Sequence, residues 1–61
     1  MKVTIKYEVE ARVDAEEVII SCQSMEEAER KLKSFHRNET EAYIIKTVQN
    51  GKSAPQKFFI M

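Results

Sequence analysis

Residues 24–37 read SMEEAERKLKSFHR, the stretch of this 61-residue chain that carries the period of a helix. Ser24-Met25-Glu26-Glu27 fits a capping box, in which the serine oxygen takes the amide of Glu27 and the Glu27 carboxylate returns to the amide of Ser24. Met25, Ala28, Leu32 and Phe35 then recur at spacings of three, four and three, which is one apolar stripe. The helix is expected to stop near Arg37 or Asn38, since asparagine tolerates a left-handed backbone at a helix end. About 13 residues of helix span roughly 20 Å. What lies on either side of this rod decides the fold.

On the N-terminal side, Lys2 to Arg12 alternates. Val3, Ile5, Tyr7, Val9 and Ala11 fall on one face, and Thr4, Lys6, Glu8, Glu10 and Arg12 on the other. That period of two marks a half-buried strand. Val13-Asp14-Ala15 reads as a turn, and Glu16 to Cys22 as a second, less regular strand containing Val18-Ile19-Ile20. On the C-terminal side, Thr40 to Gln49 is a third strand and Lys57 to Met61 a fourth. Asn50-Gly51 between them is a hairpin signal, because both residues accept positive φ. Pro55 lacks an amide donor and points to an edge or the start of a strand.

The order is β-β-α-β-β, an α+β two-layer sandwich: a four-stranded, largely antiparallel sheet with one helix on one face. Residues 1–61 leave room for one domain. One helix covers one face. Yet Ala42-Tyr43-Ile44-Ile45 and Phe58-Phe59-Ile60-Met61 are apolar at consecutive positions, so both faces of the C-terminal hairpin carry apolar side chains. Soluble monomers rarely leave such patches bare. The uncovered set, with Tyr43, Ile45, Phe59 and Met61 as candidates, is therefore expected to meet a second copy in a homodimer, or another protein.

Size supports the same expectation. A chain this short buries only roughly 60% of the surface its unfolded form exposes. Small domains usually gain stability from disulfides, a metal or self-association. The single Cys22 cannot form an internal disulfide, and one Cys with one His cannot supply a structural zinc site. The absence of an apolar run longer than four residues excludes a membrane-spanning helix. With no apolar leader at Met1, the chain reads as a complete, cytoplasmic protein. In that setting the Asn38-Glu39-Thr40 acceptor pattern has no glycosylation role.

Little here points to chemistry. Cys22 precedes a helix N-terminus, where a thiol can be activated, but His36 lies near the far end of the same helix, so no base is within reach. Glu26, Glu27 and Glu29 each precede a basic residue by four positions (Arg30, Lys31, Lys33), the pattern of a solvated helix that stabilises itself. The acidic cluster around the first hairpin lacks the ligand spacing of a calcium loop. Gly51 is the only glycine, so no phosphate-cradling loop exists. No cofactor and no small-molecule substrate are expected.

Charge is balanced overall, with ten basic and ten acidic residues, but it is unevenly distributed. Residues 1–29 hold three basic and eight acidic side chains, and residues 30–61 hold seven and two. The basic half supports an alternative in which Arg37, Lys46, Lys52 and Lys57 hold nucleic acid while Tyr43, Phe58 and Phe59 stack on bases. Zero net charge weighs against it. The sequence therefore points to a small, non-enzymatic protein-interaction or regulatory module, with an accessory nucleic-acid binder as the alternative.

Overall fold

The computed structural model describes residues 2–60. Strand β1 (Val3–Val13) is followed by β2 (Glu16–Cys22), helix α1 (Met25–Arg37), β3 (Ala42–Asn50) and β4 (Gln56–Ile60). The four strands form one sheet in the order β2-β1-β3-β4, with every neighbouring pair antiparallel. This is the α+β arrangement expected from the element pattern. The first strand is therefore central, and the last strand lies at an edge.

The two hairpins close differently. Val13 pairs with Glu16, so Asp14 and Ala15 alone make the β1–β2 turn, at φ 50° and 67°. Positive φ at both central residues is the mirror-type turn whose twist matches the strands. Asn50-Gly51 was expected to close the second hairpin directly, but it does not. The β3–β4 ladder closes at Val48–Gln56, and residues 49–55 form the connection. Gln49 and Asn50 extend β3 alongside Thr4 and Val3 of β1. Gly51, at φ 55°, donates its amide to the Lys2 carbonyl at 2.8 Å, and the Ser53 amide donates to the Asn50 carbonyl at 2.9 Å. The glycine thus starts a tight turn off the end of β3, and Pro55, with no amide to give, precedes β4.

Both helix ends are capped. The Glu27 amide donates to Ser24 Oγ at 3.1 Å, as expected. The return bond differs from the expectation: Glu27 Oε2 accepts from the Gln23 amide at 3.0 Å, one residue upstream of Ser24. At the C-terminus, Asn38 keeps φ −94° and Glu39 takes the left-handed conformation at φ 57°. The Glu39 and Thr40 amides donate to the carbonyls of His36 (3.0 Å) and Phe35 (2.9 Å), the paired bonds of a Schellman motif with glutamate where glycine is usual. Asn38 contributes its side chain instead, donating Nδ2 to the Ser34 carbonyl at 3.1 Å.

The core lies between the helix and the two central strands. Val9, Ala11, Ala42 and Ile44 of the sheet meet Ala28 and Leu32 of the helix, and Tyr7, Cys22, Met25, Phe35 and Ile60 close its rim. Three of those six buried residues are alanines, which lets the helix approach the sheet closely. The helix begins just past Cys22, beside Tyr7, and ends near Ala42, whose carbonyl lies 3.1 Å from His36 Nε2. At about 3.4 Å per residue, β1 is far longer than this cover. Val3 and Ile5 share the inward face of β1, yet they stand exposed beyond the helix N-terminus.

Candidate interaction surface

The face of the sheet away from the helix is built from alternate residues of each strand. The register places Ile45 of β3 between Glu8 of β1 and Phe59 of β4, and Tyr43 opposite Glu10, which in turn pairs with Ile19 of β2. The Tyr43 and Phe59 rings meet edge to face, with centroids 5.8 Å apart and planes at 67°. Three of the expected partner-binding residues, Tyr43, Ile45 and Phe59, are thus brought together, while Met61 lies outside the described residues.

They are not equally available. Ile45 is only 7% exposed, although the helix is on the other side. Its covering comes from its own neighbours in the sheet, Glu8 and Phe59 among them. Tyr43 is half-buried, and Phe59 is 64% exposed. Phe58, on the helix side of β4, is 47% exposed: Ile60 of the same strand packs against the core, but Phe58 lies beyond it. The accessible apolar surface of the C-terminal hairpin therefore lies on both sides of β4. Ile19 forms a separate exposed position on β2.

Between Ile19 and the β3–β4 group runs a charged column. Lys6, Glu8, Glu10 and Arg12 alternate down β1, the strand that occupies the middle of this face. Arg12 reaches Glu17 at 3.4 Å, the one ion pair among the described residues. The helical pairs expected from Glu26, Glu27 and Glu29 are therefore not closed. The Glu10 carboxylate, opposite Tyr43 in the register, holds the phenol above its ordinary value by favouring its protonated form, with burial and the nearby carboxylates adding to the effect.

The groups capable of chemistry, Cys22, His36 and the carboxylates, are dispersed. An open concavity of about 690 Å³ wraps the sheet end near Ala42, between Arg12, Glu17, His36, Glu39 and Glu41. Among the described residues no three His, Cys, Asp or Glu side chains gather as a metal site. Cys22 is partly buried, and its thiol is pushed up by that burial and by Glu27, against a smaller pull from Lys31. This is the opposite of what a thiolate nucleophile needs. His36 is at the other end of the helix, held to the Ala42 carbonyl.

The basic candidates do not share a surface either. Lys57 is on the open face, level with Thr47 and Lys6, whereas Lys46 pairs with Phe58 on the helix side. Lys52 lies in the turn after β3, and Arg37 ends the helix at the opposite end of the sheet. Compared with known proteins, the chain matches no family model, no curated protein and no solved structure.

Proposed function

We propose that this chain is a small, non-enzymatic protein-interaction or regulatory module of a reducing, cytoplasmic setting, which engages a protein partner, foremost a second copy of itself, through its C-terminal hairpin. The observation that carries the reading is the exposure of Phe58 and Phe59 on opposite sides of one edge strand. Phe59 shields Ile45 and meets Tyr43 with one side of its ring, yet both rings stay exposed to solvent. Aromatic side chains supply much of the energy where protein surfaces meet.

Nucleic acid is the weaker alternative. Lys57 neighbours Phe59 along β4, and Lys6 lies level with Lys57 across Thr47, but Glu8 and Glu10 share that face, while Lys46, Lys52 and Arg37 lie elsewhere. The test uses light scattering behind size exclusion. The unaltered chain is expected to associate as concentration rises, and Phe59→Asp to weaken that association at least about tenfold while leaving the circular dichroism unchanged. A variant that associates as well as the parent contradicts the reading. A salt-sensitive shift on single-stranded DNA or RNA, lost in Lys46→Glu with Lys57→Glu, would favour the alternative.

A further inference from the structure

We infer that the contact is an edge-to-edge pairing of β4 with β4 of a second copy, in antiparallel register centred on Phe58, which makes one eight-stranded sheet. The inference rests on the interaction reading above and specifies its geometry.

The first argument is where apolar surface can meet apolar surface. Stacking two open faces would press the charged β1 columns together and take Lys6, Glu8, Glu10 and Arg12 of both copies out of water. Desolvating that many charges is costly even where they pair. Phe58 and Phe59 also lie on opposite sides of the sheet, so a partner stacked on one face shelters only one of them. A strand laid along the β4 edge borders both.

The second argument is the hydrogen-bond parity of the sheet. The Arg12 amide donates to the Glu41 carbonyl at 3.0 Å, and the Gly51 amide to the Lys2 carbonyl at 2.8 Å. Even-numbered residues of β1 therefore aim their backbone groups at β3, and antiparallel ladders alternate. Carried across the register, this aims Gln56, Phe58 and Ile60 at β3 and turns the amides and carbonyls of Lys57 and Phe59 outward. Among the described residues no strand lies beyond β4. The edge is an unfilled template for another strand.

The third argument is self-complementarity. With Phe58 opposite Phe58 across a two-fold axis, Lys57 pairs with Phe59 of the other copy, twice. All residues of β4 from Gln56 to Ile60 find partners. The outward amides and carbonyls of Lys57 and Phe59 bond reciprocally. Each ammonium lies beside an aromatic ring, a favourable pairing, and the two Phe58 rings become direct cross-strand neighbours. Sliding the register to centre on Lys57 would set lysine against lysine. The other edge, β2, begins with Glu16 and Glu17, two residues after Asp14, so two copies of it would bring acidic hairpin ends together. The β4 contact spans about 17 Å of ladder. A contact this small belongs with weak, concentration-dependent dimers of micromolar affinity or below, on the order of 1,000 Å² in total.

Residue-resolved amide hydrogen exchange on the unaltered chain tests this, comparing a dilute sample with one near 1 mM (on the order of solubility-limited conditions for weak association). The Lys57 and Phe59 amides are expected to slow by about tenfold or more on concentration. The Phe58 and Ile60 amides, already bonded to β3, should change less. In parallel, Phe58→Cys in a Cys22→Ser background should oxidise to a disulfide dimer, since directly opposed residues fall within disulfide reach, whereas Ile19→Cys in the same background should not. A dimer in which Lys57 and Phe59 stay unprotected, or in which Ile19→Cys cross-links and Phe58→Cys does not, overturns the edge pairing and leaves the interaction reading standing. A chain that stays monomeric throughout overturns both.

Discussion

The two hairpins of this protein have similar strand order and opposite character. The N-terminal hairpin has a two-residue turn, an unbroken ladder from Val13–Glu16 to Tyr7–Cys22, and two acidic side chains, Glu16 and Glu17, at the start of its outer strand. The C-terminal hairpin has a long connection over residues 49–55, a ladder of five pairs, and an outer strand that ends in aromatic and aliphatic residues on both sides. The first is guarded at one end of its edge: Glu16 and Glu17 discourage a further strand there. The second is left open. The difference shows that cover and edge protection are distributed unevenly. The helix serves β1 and β3, charge guards the first two residues of β2, and β4 has only Lys57 and its shortness.

The largest expected effects would break the comparison at its common base. Val9 and Ile44 are opposed across β1 and β3 and are essentially fully buried beneath the helix. Ile44→Ala should lose about 3 kcal/mol and Val9→Ala about 2 kcal/mol in chemical denaturation. Phe59→Ala, in the same hairpin as Ile44 but largely in solvent, should cost the isolated chain under about 1 kcal/mol, mostly its edge-to-face contact with Tyr43. If Phe59→Ala proves as damaging as Ile44→Ala in dilute solution, the open side of β4 is part of the fold and the contrast between hairpins fails.

Smaller effects of opposite sign should appear at the two turns. Ala15 holds φ 67° in the N-terminal turn, where a side chain is a burden, so Ala15→Gly should stabilise by about 1 kcal/mol. Gly51 holds φ 55° after β3, and Gly51→Ala should destabilise by a similar amount, about 1 kcal/mol. Glu39→Gly at the helix end should gain about as much as Ala15→Gly, roughly 1 kcal/mol. Thermal unfolding of the three variants checks the signs.

The smallest expected effect concerns Tyr43. Its phenol is raised above the ordinary value of 10.0, first by the Glu10 carboxylate opposite it. A folded value above the unfolded one means the native chain holds its proton longer. The contribution to stability is thus fully present below pH 10 and is lost as pH climbs through the raised value. In a Tyr7→Phe background, ultraviolet titration should show Tyr43 ionising later than a free tyrosine, and Glu10→Gln should move it back toward 10.0. A titration unchanged by Glu10→Gln would show that the carboxylate does not engage the phenol.

Much of this was legible in the residues. The strict alternation of Val3 to Ala11 gave the strand and its inward face, and Ser24 with Glu27 gave the helix start. Strand order was not legible, because alternation is a property of one strand and pairing is a property of two. Without it, the charges at Lys6, Glu8, Glu10 and Arg12 look like one solvated face, whereas their place on a central strand makes them a divider. Ile45 misleads for the same reason: its period puts it on the uncovered side, but lateral neighbours in the sheet bury it. Asn50-Gly51 carries a true turn signal. It cannot say whether the turn closes the ladder or leads into a longer loop. The consecutive Phe58 and Phe59 were the clearest sign of a surface with two sides.

The account turns on one property, that a chain with its core complete on one side still offers β4 to a second copy. Sedimentation equilibrium of the unaltered protein, from nanomolar to near-millimolar concentration, addresses it most directly. The predicted result is a mass that starts at 7.1 kDa and climbs toward twice that value as concentration passes through the micromolar range. A mass fixed at 7.1 kDa across the whole series would contradict it.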